Sequence, residues 1–226
     1  MRSDPPRRRR HAGLAFAIAV AALTVAACGG SASPSPTTEP TALPSQTTDA
    51  SPGAAELRIP LPEGWHQIEL TEAALQAQID TFAESNPELA EPLRQLLSSG
   101  AFRSLSFYAI GYDGLEPIGT VNAVTFPMPG LDIDALAPLV EGQLEQIGAT
   151  DIQFGDRSVL GTDGLVVDYR LPVEVDGASL TLTGRVFVAI IDGTAWDVTV
   201  TCTAADPGPC LGDADAMADG MTLGAP

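Results

Sequence analysis

The chain contains no lysine, and only six of its eleven arginines lie beyond residue 27. Lysine-based catalysis is therefore excluded outright. Histidine is almost as scarce: His11 and His66 are the two, and His66 alone remains after residue 27. A histidine-rich metal site is impossible, and any Ser-His or Cys-His nucleophilic pair has to use His66. The sequence holds no Gly-x-Ser-x-Gly elbow, phosphate-binding loop, dinucleotide fingerprint or Asp-x-Asp-x-Asp-Gly calcium loop, and no internal repeat.

What is abundant is acid. Without residues 1–27, which carry five arginines and Asp4, the chain has 6 basic and 28 acidic groups and a formal charge of −22. Such a surface repels nucleic acid and anionic headgroups, so no nucleic-acid partner is expected. Adaptation to high salt is a competing explanation of the acidity. An ordinary apolar fraction and scattered, unclustered acids weigh against it.

Arg2 and Arg7 to Arg10 lead a segment, Ala12 to Ala27, that has no charge, and small residues close it. This is the layout of a secretory signal, too short to span a bilayer. Its end, Val25-Ala26-Ala27-Cys28, resembles the lipobox of bacterial lipoproteins. The resemblance implies that Cys28 takes a diacylglyceryl group and becomes the first residue of the mature protein. The expected location is the cell membrane, lipid-anchored on its extracytoplasmic face. The alternative is an ordinary secretory signal with a chance cysteine.

Residues 28–55 form the anchor and a linker. From Gly29 onward the stretch holds five prolines, five serines, five threonines, one leucine and no aromatic residue. It cannot bury enough apolar area to offset the entropy of ordering. As a flexible coil it would span about 30 Å, enough to hold a domain clear of the membrane.

Residues 56–226 have the size of one domain with a single core. Leu75, Ile79 and Phe82 recur at helical spacing behind Thr71, a candidate N-cap, and Leu89, Leu93 and Leu96 repeat the pattern up to Gly100. A third helix is expected over 132–147, with Leu136, Val140, Leu144 and Ile147 on one face and Gly148 as its stop. A last helix is expected over 213–221, with Ala214, Met217 and Met221 inward.

Leu165, Val167, Tyr169, Leu171, Val173 and Val175 alternate with Val166, Asp168, Arg170, Pro172 and Glu174. The same period runs through Leu180, Leu182, Val186, Val188 and Ile190, and through Trp196, Val198, Val200 and Cys202. The pattern predicts an α+β fold with an antiparallel sheet, apolar on one face and half-covered by helices. Earlier strands are expected at 57–59, 65–70, 103–112, 118–126 and 152–160.

Register follows from the turns. A two-residue Asp176-Gly177 turn pairs Val173 with Leu180 and Leu171 with Leu182, lays Tyr169 across Gly184, and sets Asp168 against Arg185 outside. For the next hairpin, a three-residue Asp192-Gly193-Thr194 loop is expected. It matches Val188 with Val198, whereas a two-residue loop would set Val188 against Asp197.

Leu61-Pro62-Glu63-Gly64-Trp65 opens the domain, and Ala195-Trp196-Asp197-Val198-Thr199-Val200-Thr201 forms its last long strand before a closing helix. These features resemble the PsbP-like α/β/α sandwich over about residues 56–223. That fold is shared by the extrinsic photosystem II subunit, a Ran-binding nuclear-import factor and Lpq-type lipoproteins of actinobacteria. The resemblance implies a non-catalytic binding or adaptor domain, and it supplies no catalytic residues.

Cys202 and Cys210 would lie outside the membrane, where disulfides persist, and only eight positions apart. A staple between them is expected, and Cys28 is then the odd cysteine that the lipid accounts for. Gly64 and Trp65 read as architectural, the glycine for a tight turn and the indole as a core or rim plug. His66 reads as a surface residue. Asp206, Asp213, Asp215 and Asp219 do not have calcium-loop spacing, and the dipole of a helix N-terminus explains Asp213 and Asp215 more simply. Asp132 and Asp134 admit the same capping explanation. No metal, cofactor or catalytic residue is assigned.

Two functions follow. One is a lipid-anchored adaptor for an envelope or secreted protein. The other is a small-molecule or lipid carrier with a pocket between sheet and helices, lidded by the 71–100 insert. A hydrolase is the least favoured class.

Overall fold

A computed structural model describes residues 56–83, 91, 94, 95, 97, 98, 100–114, 116–175, 178–203 and 205–224. The lipobox Val25, Ala26 and Ala27, the anchor Cys28, the linker, the helix of Leu89, Leu93 and Leu96, and the Asp176-Gly177 turn lie outside the described residues. So does most of the second half of the expected 71–100 lid.

The elements are β1 (Glu56–Arg58), β2 (Trp65–Gln67), α1 (Glu72–Ala83), a 3-10 turn (Ala101–Ser104), β3 (Leu105–Asp113), β4 (Glu116–Pro127), α2 (Ile133–Gln146), β5 (Thr150–Val159), β6 (Thr162–Val175), β7 (Ala178–Ile191), β8 (Thr194–Cys202), α3 (Gly208–Gly220) and β9 (Thr222–Gly224). Seven strands form one antiparallel sheet in the order β2-β3-β4-β8-β7-β6-β5, and β1 pairs with β9 in a separate ribbon. The α+β class read from the periodicity is the class observed.

The helices start where short polar side chains can satisfy free N–H groups. Thr71 Oγ1 accepts from Ala74 N at 3.3 Å, and Asp132 accepts from Ala135 N at 3.0 Å. Gly148 adopts a positive φ of 84° beyond the end of α2, as a helix stop requires. Leu136, Val140 and Leu144 face the sheet as their spacing predicts.

Both faces of the sheet are covered, which corrects the half-covered reading. On one face α2 packs on Leu165, Val167, Tyr169, Leu171, Leu182, Val186 and Val188, and α1 packs with Ile68, Tyr108 and Ile110. On the other face Cys210, Ala214, Met217 and Ala218 of α3 meet Phe107, Val121, Phe187, Trp196, Val198 and Val200. Trp196 and Val198 therefore do not share a face with Val188.

The expected three-residue loop is wrong for that reason. Asp192 (φ 51°) and Gly193 (φ 73°) make a two-residue turn that pairs Ile191 with Thr194 and Val188 with Asp197. Two left-handed residues in succession suit a tight hairpin. The register test failed because it assumed one buried face. In a three-layer fold, residues on the second face, such as Phe187 at 1% exposure, are core as well.

The first hairpin keeps its expected register: Val173 with Leu180, Leu171 with Leu182, Tyr169 with Gly184 and Asp168 with Arg185. A side chain at Gly184 would collide with the Tyr169 ring, so the glycine is what lets the tyrosine lie flat there.

Candidate functional site

Most of the residues singled out in the sequence gather on the α3 face, and a polar group that the sequence reading overlooked lies on the opposite face. Cys202 ends β8 and is joined by a disulfide to Cys210, with Cα atoms 5.9 Å apart. Cys210 lies in the first turn of α3, not before the helix, because α3 begins at Gly208 rather than near Asp213. Pro62 accepts from Trp65 N at 3.2 Å across the turn that contains Gly64. Gly64 has φ 85°, and a Cβ there would stand 2.6 Å from Tyr112 O, so the turn requires glycine. Trp65 is buried and donates its indole N–H to Asp213 at 2.8 Å. His66 is exposed and lies beside the Tyr112 ring.

The early start of α3 also overturns the dipole explanation of its acids. The first turn of α3 has no acid. Asp213 is the acceptor for Trp65. Asp215 accepts from both Arg157 and Arg185, and Asp219 accepts from Arg157 at 2.6 Å. Arg185 also forms a two-pronged bond to Asp168, at 2.6 and 2.8 Å. The Asp168–Arg185 pair thus lies beneath α3 rather than outside. Its role is to tie α3 to β6 and β7. Arg157 adds a cation–π contact, 5.2 Å above Phe187. Asp206 accepts from Gly208 N at 3.0 Å.

The other face has a different character at its centre. Reading across the strands, one row is Ile110–Thr120–Thr201–Gly184–Tyr169 and the next is Tyr108–Asn122–Thr199–Val186–Val167. A third is Leu105–Val124–Asp197–Val188–Leu165. Thr120 and Asn122 on β4, with Asp197, Thr199 and Thr201 on β8, form one polar island on the two central strands. The apolar cluster under α1 ends on one side of it and the cluster under α2 on the other.

Burial is uneven across the island. Thr120, Asn122 and Thr201 are 2%, 1% and 5% exposed, while Asp197 and Thr199 retain partial exposure. Thr199 donates to Asp197 Oδ1 at 3.0 Å. Burial nevertheless pushes the Asp197 carboxyl up to about 6, against the opposing effect of that hydrogen bond. Burial also raises the Tyr169 phenol, and the neighbouring Thr201 hydroxyl works in the other direction. Among the described residues Thr120 Oγ1 and Asn122 Oδ1 have no hydrogen-bond partner. Leaving such a group buried and unpaired costs about 1–3 kcal/mol.

These residues were missed because they alternate with apolar ones, which in a sheet with one solvated face means they point to water. The signal was in the length of the apolar partners. The run Val121, Ala123 on β4 and Val198, Val200 on β8 marks central strands, whose second face is the one most readily covered.

Among the described residues no helix is long and apolar enough to cross a membrane. No family model and no curated protein sequence matches the chain. Among solved structures, the fold is similar to LpqN, described as involved in cell envelope biogenesis of Mycobacterium tuberculosis. The identity is 12%, over 79% of this chain and 88% of that one, with a TM-score of 0.47. It is also similar to PA94 of Pseudomonas aeruginosa, a protein of unknown function. There the identity is 19%, over 44% and 70% of the two chains, with a TM-score of 0.33. Neither match carries the PsbP-like assignment, and likenesses at this level say nothing about what this chain binds.

Proposed function

We propose that this chain is a lipid-anchored, extracytoplasmic binding protein of the cell envelope that takes up a small molecule. Cys28 holds it to the membrane through acyl chains, two of which bind firmly where one binds reversibly. The linker lets the domain stand away from the bilayer. The domain is PsbP-like in its helix–sheet–helix layering, and the ligand lies on the face carrying α1 and α2.

The observation that carries this reading is the polar island itself, with Asp197 and Thr199 partly exposed between two apolar clusters and Thr120, Asn122 and Thr201 buried beside them. Polar groups converging within an apolar surround are the usual composition of a ligand site. The role is binding without catalysis: the island offers hydroxyls, an amide and one carboxylate. His66, the chain's one histidine after residue 27, is on the edge strand β2, separated from β4 by β3.

A second reading, an adaptor for another envelope protein, is favoured by strand β5. It is one of the sheet's two edge strands, bonded among the described residues only to β6, and carries Phe154 at 39% exposure. Such an edge can accept a strand from a partner.

Native mass spectrometry of the mature, lipidated chain purified from its own envelope tests the two. Excess mass near one equivalent is expected beyond the acyl groups. A bare chain mass, with in-cell cross-links from β5 to one envelope protein, would replace the carrier reading with the adaptor reading.

A further inference from the structure

We infer that the outer edge of β5 takes up an extended, basic segment of a partner protein as an added strand, with an apolar side chain beside Phe154 and a lysine or arginine beside Asp156. The inference rests on the adaptor reading above and adds the chemistry of the partner.

The two edges of the sheet are not alike. β2 closes one side with three residues, a length that leaves another chain little to pair with. β5 closes the other with ten, Thr150–Val159, and contains neither proline nor lysine. A bulge at Asp151 (φ 53°) breaks its register between Thr150 and Gln153, whereas the pairing of 153–159 with β6 is continuous. That regular stretch is about 20 Å long. Its outward N–H and C=O groups have no strand beside them among the described residues.

The side chains along this edge differ between its two faces. Phe154 lies across from Val167 and Asp156 from Leu165, and both partners belong to the core under α2. Phe154 and Asp156 therefore stand together on the α2 side of the edge, both exposed. On the α3 side Arg157 is held by Asp215 and Asp219, and Gly155 offers no side chain. A strand laid along β5 thus meets a ring and, two residues on, a carboxylate. Side chains directly across from each other on paired strands are the ones that interact.

Charge selects the occupant. Of the six arginines beyond residue 27, Arg58, Arg94, Arg157, Arg170 and Arg185 are ion-paired with acids of this chain. Asp156 takes part in no ion pair among the described residues. Asp163, at the start of β6, is exposed across from Ser158 on the same side of the edge. A second copy of this chain would bring the same acids and the same net charge against them. A basic segment instead supplies the cation that Asp156 lacks.

The test is isothermal titration of the mature, lipidated chain in nanodiscs of neutral phosphatidylcholine. The probe is acetyl-Lys-Thr-Val-Thr-Lys-Thr-Val-Thr-Lys-amide, which carries its lysines and valines on one face. Saturable binding is expected, about tenfold weaker in 1 M salt, where charges are screened within about 3 Å. The same peptide with glutamate for lysine should not bind. Phe154→Ala and Asp156→Asn should each weaken binding several-fold, while Asp134→Asn, on α2, should not. Methylating alternate peptide amides supplies a control that needs no variant of the protein. One phase removes the N–H groups that face β5 and should abolish binding, and the other faces solvent and should leave it unchanged. Equal effects of the two phases, or equal binding of the glutamate peptide, overturn the inference. So does a dimer of the chain in native mass that Phe154→Ala dissolves, since a second copy then holds the edge. Binding of no peptide overturns it as well, and cross-links from β5 then decide the adaptor reading on their own.

Discussion

Asp197→Asn should stabilise the ligand-free domain, and only above a definite pH. The Asp197 carboxyl is raised from 3.8 to about 6 in the fold, because burial disfavours its charge. A group that holds its proton more tightly when folded makes stability fall as pH rises through the interval between the two values. The cost is absent below about pH 4 and fully present above about pH 6. A difference of about 2 units corresponds to about 3 kcal/mol, and partial exposure of the side chain makes that a ceiling. Asparagine has nearly the same shape, keeps an oxygen to accept from Thr199 Oγ1, and carries no charge to desolvate. The variant should therefore gain about 2–3 kcal/mol at pH 7.5 and almost nothing at pH 4. In a domain of this size that is an increase of roughly 5–10 °C in Tm. Urea unfolding of both proteins from pH 4 to pH 8 reads the difference directly, and the other carboxylates cancel in the subtraction. A destabilised variant at pH 7.5, or a gain that does not change with pH, would refute the account of Asp197 as a desolvated carboxylate.

Three further outcomes are expected. Cys202→Ala should lower stability by about 2–3 kcal/mol, the chain-entropy value for a nine-residue loop; intact mass of the parent chain after alkylation without reductant should show no free thiol at 202 or 210, and two alkylated thiols would remove the bridge from the argument. Arg185→Met leaves Asp168 without its two-pronged partner and removes one of the two arginines on Asp215. Since both acids are about two-fifths exposed, the loss should be about 1–3 kcal/mol, below that of a fully buried pair, and denaturant midpoints of the variant and of Asp168→Asn should fail to add. Cys28→Ala should leave the chain unlipidated and either released or retained as precursor, and unchanged palmitate labelling would dispose of the anchor.

Local patterns in this chain were decided by local physics, and these were legible. Thr71 and Asp132 cap because a short polar side chain must accept the first free N–H groups. The alternation from Leu165 to Val175 reads as a strand because successive side chains point to opposite sides. Tyr169 over Gly184 and Asp168 opposite Arg185 follow from turn length alone. The second face was not legible. Whether Thr120, Asn122, Thr199 and Asp197 point to water or to a helix depends on α1 and α2, which pack there from distant parts of the chain. The same ambiguity reversed the reading of the Asp192-Gly193 turn and of Phe187. It also hid the partners of Asp213, Asp215 and Asp219, which come from 30 to 148 positions away. Sequence by itself determined most of the elements, the register of β6 with β7 and the acidic, lysine-free composition, because each depends on neighbours along the chain. Only the tertiary structure decided that a polar strip on the two central strands is buried, because burial is a property of what the rest of the chain lays on top.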